Sequence, residues 1–188
     1  MSSWRKSCLN CLAKCTTDIS CSWICGTATV DTLCAKLAYL CFMISKKTKY
    51  AINALVYLTK KRNEGPILIS EIAEKEKIPQ KFLEAILLDL KKTGILASKK
   101  GKGGGYYLLK PPEEVNIAEI MRLFDGPIAL LPCATYKYYQ HCEECGDEEV
   151  CGIRRVFLEV RDKTVKMLKQ ATLSEIIKQE QKFNSLKQ

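Results

Sequence analysis

A chain of 188 residues, 47% of them apolar, is long enough to bury a hydrophobic core, and its formal net charge of +9 directs attention to an anionic partner. No apolar run reaches the roughly 20 residues of a membrane span; the nearest, residues 33–44, is short and broken by Lys36. Polar residues also interrupt the basic N-terminal stretch where a signal peptide would need an unbroken apolar segment, so the protein is expected to be cytoplasmic, where clustered cysteines bind metal or do redox chemistry.

Residues 1–42 hold seven of the eleven cysteines, namely Cys8, Cys11, Cys15, Cys21, Cys25, Cys34 and Cys41, without sustained helical or strand periodicity. They read as a disordered extension, or as sequence upstream of a working start at Met43. The gaps between Cys8, Cys11 and Cys15 would also suit a second metal site.

From Met43 the character changes. "SKKTKYAINALVYLTKKR" places Tyr50, Ala51, Ala54, Leu55 and Leu58 on one helical face, and Gly65-Pro66 are expected to end that helix. "ISEIAEKEKI" predicts a short second helix with Ser70 as its N-cap and Glu71 near the positive end of the dipole. Pro79 suits the first turn of a third helix, whose buried stripe is Phe82, Leu83, Ile86, Leu87 and Leu90, with Gly94 as its stop. The opposite face carries Gln80, Lys81, Glu84, Ala85, Lys91 and Lys92. Two short helices about a tight turn, the second with a basic outer face, describe a helix-turn-helix. "ILASKKGKGGGYYLLK" adds a hairpin wing with Lys99, Lys100 and Lys102 at its tip. "GKGGG" is not a nucleotide-phosphate loop, because it lacks the following Ser or Thr and leads into a strand. Residues 44–110 carry 15 Lys and Arg against 6 Asp and Glu, the whole of the net excess. Such a basic block fits phosphate contact.

Residues 43–112 therefore read as a winged helix-turn-helix DNA-binding domain, and 113–132 as a connecting helix with Asn116 and Glu119 in capping-box positions. Residues 133–151 form a cysteine loop. Over 152–188 the sequence predicts a long helix and a short final one capped by Thr172 and Glu175. The long helix places Ile153, Phe157, Val160, Thr164, Met167 and Ala171 at alternating steps of four and three, a heptad seam read as pairing two protomers through residues 153–171. Glu159 with Lys163, and Asp162 with Lys166, are expected ion pairs beside it. The expected fold is mainly α, with a small β-hairpin wing and a long dimerisation helix.

In order and in the motifs "TKYA", "LEAILLDLKKTGIL" and "KGKGGGYYL", residues 43 to about 180 resemble the Rrf-two family of bacterial winged-helix transcription regulators. That family includes the iron–sulfur-cluster regulator and the nitric-oxide-sensing repressor. The resemblance implies a homodimer on a palindromic operator in double-stranded DNA, acting as a repressor, with the third helix in the major groove and the wing at the minor groove. Lys81 and Glu84 fall where the family contacts bases and backbone, and Lys100 stands where an arginine is common. The expected DNA contacts are Ser70, Gln80, Lys81, Glu84, Lys91, Lys99, Lys100, Lys102, Gly103 and Gly104.

Family members that sense with a cluster use three cysteines before the dimer helix. Cys145 and Cys151 resemble the second and third of these. Cys133 would be the first, across a longer gap, and Cys142 is an extra thiol; Arg154 stands where one branch has a histidine. Four thiolates suit a 2Fe–2S or 4Fe–4S cluster, with tetrahedral zinc as the alternative and a thiol switch as a third reading. His141, the only histidine, reads as a substitute ligand, a hydrogen-bonding neighbour of the site or an ordinary surface residue. A dithiol oxidoreductase would use Cys142 and Cys145 as a CxxC pair. That pair lies outside any βαβ context and no triad or paired carboxylates accompany it, so the chain reads as a regulator and not an enzyme.

Overall fold

The computed structural model describes residues 44–187. The readings at residues 1–43, including the cysteine spacing over 8–15 and the start at Met43, lie outside the described residues. Ser45 opens α1 (Lys46–Lys60), its hydroxyl accepting from the Thr48 N–H at 3.1 Å. Ala51, Ala54, Leu55 and Leu58 are buried along one face, and Tyr50 packs partly buried beside them, as the helical period predicts. The helix ends at Lys60, earlier than Gly65-Pro66, because a 3-10 turn over Arg62–Glu64 intervenes.

Helix α2 (Ile69–Lys75) starts two residues too early for Ser70 to cap it. Leu68 occupies the cap position, and its carbonyl accepts from the N–H groups of Glu71 and Ile72 at 3.1 and 3.3 Å. The cause is tertiary: Ile67 exchanges two backbone bonds with Tyr106, at 2.9 and 2.8 Å, which fixes where the extended chain must end. The turn beyond α2 passes through Lys77 at φ +54°.

Pro79 precedes α3 (Gln80–Lys92), which buries Leu83, Ile86, Leu87 and Leu90. Phe82, expected in that stripe, is 41% exposed and lies edge-on to Tyr50 with ring centroids 5.8 Å apart. It sits about 100° round the helix from Leu83, at the rim of the buried face. Gly94, at φ +74°, stops the helix: its N–H bonds Lys91 O at 3.0 Å and that of Ile95 bonds Leu90 O at 3.2 Å, a Schellman motif. Strands β1 (Leu96–Lys99) and β2 (Gly105–Leu108) pair antiparallel, from Leu96 opposite Leu108 to Lys99 opposite Gly105. Gly105 lies so close to the Ile67 backbone that a Cβ there would stand 2.3 Å from Ile67 O.

Helix α4 (Ile117–Phe124) is capped as expected, the Asn116 side chain accepting from Glu119 N–H at 3.0 Å. A 3-10 turn (Pro132–Ala134) and the cysteine loop lead to α5 (Gly152–Gln170) and then α6 (Leu173–Ser185), whose first turn Thr172 caps. Helix α6 completes the core of the winged helix: Leu173 is fully buried, its N–H bonds Val115 O at 3.0 Å, and Ile176 and Ile177 pack against the cluster around Leu55 and Leu90.

Helix α5 differs from all of these, since its one buried residue is Arg161, 6% exposed. Of the expected seam only Ile153, Val160 and Met167 face outward, Ile153 68% and Met167 70% exposed, and Val156, outside that seam, is exposed beside them. Phe157 and Thr164 are half-buried and Ala171 packs on the core, because the face of the helix that carries Arg154 and Arg161 turns toward the cysteine turn. Glu159 pairs with Lys163 at 2.6 Å, as the spacing predicts. Asp162 does not pair with Lys166; the Arg161 guanidinium takes it at 2.8 Å, because a buried cation needs a nearby counter-charge. Among the described residues no helix is long and apolar enough to cross a membrane.

Candidate nucleic-acid interface and cysteine site

The α2–turn–α3 unit puts Gln80, Lys81 and Glu84 on the exposed face of α3, opposite its buried stripe. Ser70 is exposed at the start of α2. Two contacts fix the aim of α3. Lys47 on α1 pairs with Asp89 at 2.9 Å, and the same ammonium, 4.9 Å from the Phe124 ring centroid, also lies over α4. Lys47 first, and then Lys92, hold the Asp89 carboxyl below the usual carboxylate range. The start of α2 is fixed likewise: the Tyr57 hydroxyl donates to Glu71 at 2.8 Å and Lys61 stands 3.3 Å from the same carboxylate. Burial raises the Tyr57 pKa, and its bond to Glu71 adds to this.

Lys91 leaves the end of α3 and donates to Ser98 Oγ on β1 at 2.7 Å, so the wing is tied to the helix beside it. Lys99, Lys100, Lys102 and Gly103 are exposed at the wing tip, whereas Gly104 is buried, with the carbonyl of Lys99 packed against it. The candidate DNA contacts thus fall on α2, α3 and the wing tip, with Gly104 shaping the tip rather than facing outward.

The cysteine loop is organised from the carboxylate of Glu148. It accepts from the Cys142 N–H and stands beside His141 Nδ1, both at 2.8 Å; it also accepts from the Tyr139 hydroxyl and lies 3.6 Å from Arg154. Tyr139 first, then the Cys142 amide, draw its pKa down. His141 is exposed at the edge of the loop, beside the Glu148 carboxylate. The acidic run that looks unfavourable beside thiolates in the sequence therefore holds one carboxylate turned inward as a support.

All four cysteines line one cavity of about 340 Å³, together with Pro132, His141 and Arg154. Cys133 is buried in the 3-10 turn, and Cys142, Cys145 and Cys151 are half-buried. Cys151 is the N-cap of α5, its sulfur accepting from Arg154 N–H at 3.5 Å, and that bond lowers its pKa, assisted by the thiol of Cys145 at 3.6 Å. Cys145, between Cys142 and Cys151, is pushed up to about 12 by its hydrogen bonds to both. Of this pair Cys151 therefore ionises before Cys145, and its thiolate holds the proton on Cys145.

The donor set fits a thiolate-bound metal or cluster. Two sulfurs on one tetrahedral ion at about 2.3 Å stand about 3.8 Å apart, close to the separation of Cys145 and Cys151. Among the described residues, however, no three His, Cys, Asp or Glu side chains converge on a single ion position. The four sulfurs border the cavity without closing on its centre.

Two arginines that the sequence reading left unassigned to this site reach back to the cysteine turn. Arg154 Nε donates to Cys133 O at 3.1 Å. Arg161, two helical turns on, donates through Nη1 to Ala134 O and through Nη2 to the Tyr136 hydroxyl at 2.7 Å, with its guanidinium 3.8 Å from the Tyr136 ring centroid. Their spacing of seven residues is the signal that would have found them, since it puts both on one face of α5.

Comparison with known proteins is consistent with this arrangement. The family described as Rrf2, Iron-dependent Transcriptional regulator, matches residues 44–179. The chain is similar to an rrf2-like HTH-type transcriptional regulator of Rhodobacter capsulatus, 46% identical over 138 residues that cover 72% of this chain and 92% of the relative. It is also similar to the HTH-type transcriptional regulator IscR of Pectobacterium atrosepticum, 26% identical over 75% of this chain and 82% of that one. The solved structure of CymR, the global cysteine regulator of B. subtilis, superposes with a TM-score of 0.60 at 27% identity, covering 72% of this chain and 95% of that one.

Proposed function

The chain belongs to the Rrf2 family of winged-helix transcriptional regulators, and from that premise we propose that it is a cytoplasmic homodimer, acting as a repressor, whose affinity for a palindromic operator is set by the state of its cysteine loop. Gln80, Lys81 and Glu84 read the major groove, with Ser70, Lys91 and the wing residues Lys99, Lys100 and Lys102 on phosphates or at the minor groove. Glu84 is suited to accept from a cytosine amino group. The exposed strip of Ile153, Val160 and Met167, the outward part of the expected seam, together with Val156 beside it, is the face on which a second protomer packs. We assign residues 43–112 to DNA binding, 113–132 to the connection, 133–151 to the cysteine loop and 152–188 to the dimer helix and the final helix, which packs back on the first of these.

One observation carries the regulatory part: Cys133, Cys142, Cys145 and Cys151 all line one cavity at the N-terminus of α5. We assign these four as ligands of an iron–sulfur cluster, a reading supported by the iron-dependent description of the matching family. When bound, such a cluster supplies redox- and nitric-oxide-sensitive iron–sulfur bonds. Cys133 and Cys151 belong to the elements that frame the cavity, Glu148 braces the loop between them, and the arginines of α5 hold the Cys133 turn. Zinc is the second reading, favoured by the tetrahedral-like separation of Cys145 and Cys151.

Anaerobic purification followed by a visible spectrum and assays of iron, sulfide and zinc tests the assignment. Charge-transfer bands with matched iron and sulfide are expected. A colourless protein with one zinc per chain would replace the cluster by a structural metal, and a metal-free protein would leave a thiol switch.

A further inference from the structure

The cysteine site and the outward seam of α5 are separate places, and a regulator needs something that joins them. The side chains that do so most directly are Arg154 and Arg161. They leave one face of α5 two turns apart and end on the carbonyls of consecutive residues, Cys133 and Ala134. Arg161 is the only buried residue of the helix, and each end of its guanidinium is engaged: Ala134 O and Tyr136 on the loop side, Asp162 on the helix side. Its neighbour Val160 lies on the exposed strip of the helix.

We infer that Arg154 and Arg161 are positioning residues that couple the Cys133 turn to the dimer face of α5, so that a change at the cysteines re-aims the helix and with it the two DNA-binding heads. The inference rests on the proposed function and goes beyond it by naming the coupling residues. The physical case is that a guanidinium offers fixed, planar donors and cannot follow a moving carbonyl without giving up its other partners. If Cys133 shifts toward or away from the cavity, Arg154 and Arg161 must either move with it, turning α5, or leave carbonyls of the buried Cys133 turn unpaired, at the desolvation cost of those groups. The coupling therefore runs through a defined set of bonds between two named elements.

The test uses the full-length protein and a duplex selected from a random-sequence library by the wild type. Operator affinity is measured for protein reconstituted anaerobically with ferrous iron and sulfide and for protein stripped by a chelator. Wild type, Arg161→Lys and Arg154→Gln are compared, with iron and sulfide content and the melting temperature recorded for each. A wild-type switch in the ordinary allosteric range of about 5- to 150-fold is expected to fall to about two-fold or less in Arg161→Lys and to be weakened in Arg154→Gln, with iron and sulfide uptake unchanged. Arg154→Gln, at a more exposed position, keeps the test decisive if Arg161→Lys melts early. Variants that switch like the wild type overturn the coupling and leave the cluster reading intact. Variants that lose iron and sulfide uptake also overturn it, because the arginines then only build the site. A wild type with equal affinity in both forms overturns the regulatory reading itself and the coupling with it.

Discussion

Lys91, at the end of α3, donates to Ser98 Oγ in the first strand of the wing at 2.7 Å, so one cation among the proposed DNA contacts also ties the wing to α3. The two roles separate by mutation. Lys91→Ala is expected to weaken operator binding and to lower the slope of log affinity against log salt by about one, the signature of one lost phosphate contact. Ser98→Ala removes only the tie, which is exposed and worth less than about 1 kcal/mol, and should leave the slope unchanged. Salt titrations of binding by fluorescence anisotropy decide between them; equal slopes for Lys91→Ala and wild type would remove Lys91 from the DNA interface.

Gly105→Ala is expected to damage the wing. Its Cβ would stand 2.3 Å from Ile67 O and 2.5 Å from Ile67 C, and both are backbone atoms that cannot rotate away. The backbone there is also in a region used almost only by glycine, at φ +155°, costing about 1–3 kcal/mol. Urea melts should show that loss, and operator affinity should fall with it. An unchanged melt would mean that the Ile67–Tyr106 pairing yields easily.

Lys77 adopts φ +54° in the turn between α2 and α3, a conformation costing an L-residue about 1–2 kcal/mol. Lys77→Gly relieves that strain but frees the unfolded chain by roughly 0.5–1 kcal/mol. A net gain of up to about 1 kcal/mol is expected, read from the urea midpoint, with operator affinity changed little because Lys77 is not among the proposed contacts.

Acid should loosen the attachment of α3 to α1. Lys47 and Lys92 hold the Asp89 carboxyl below its ordinary range, so its contribution is present above the unfolded value, about 3.9, and is lost as pH falls through the lower folded value. Both partners are partly exposed, which limits the effect to about 1 kcal/mol or less. Wild type is expected to be more stable than Asp89→Asn at neutral pH, the difference closing as the pH falls below the unfolded value and through the lower folded one. A difference that persists at low pH would point to packing instead of charge.

The dimer face gives a fifth expectation. Val160→Asp, which puts a charge into the proposed seam, should shift the protein toward monomer in sedimentation velocity and weaken operator binding by at least ten-fold. Replacement of the exposed Val150, outside the seam, should do neither. A dimer that survives Val160→Asp would place the interface elsewhere.

The fold was legible where local chemistry decides. The periodicity of α1 and α3, the glycine stop at Gly94, the hairpin about "GKGGG" and the caps at Asn116 and Thr172 depend on near neighbours in sequence, and all appear in the structure. The misses depend on distant residues. Ser70 lost its cap role because Ile67 is fixed by Tyr106, and Asp162 left Lys166 because Arg161 is buried. Phe82 sits at the rim of a stripe whose width only the packing of Tyr50 and the core determines. In the cysteine site the ligand types were readable, because thiols at short spacing have few uses. The support was not: Glu148 sits inside an acidic run that looks wholly solvated, and only the folded loop turns it inward.

The return of α6 to the core bears on how this protein is made. Leu173, Ile176 and Ile177 close the hydrophobic cluster that α1 and α3 begin, and Val115 and Ile117 bond across to Leu173 and Ala171. Helices α1 and α3 are therefore synthesised early but sealed late. On the ribosome they wait with an apolar flank open until residues beyond Ile177 have emerged, so a chain interrupted within α5 would expose part of that flank. Only a chain that has already passed through its cysteine loop can close the core on which the proposed DNA-contacting elements rest.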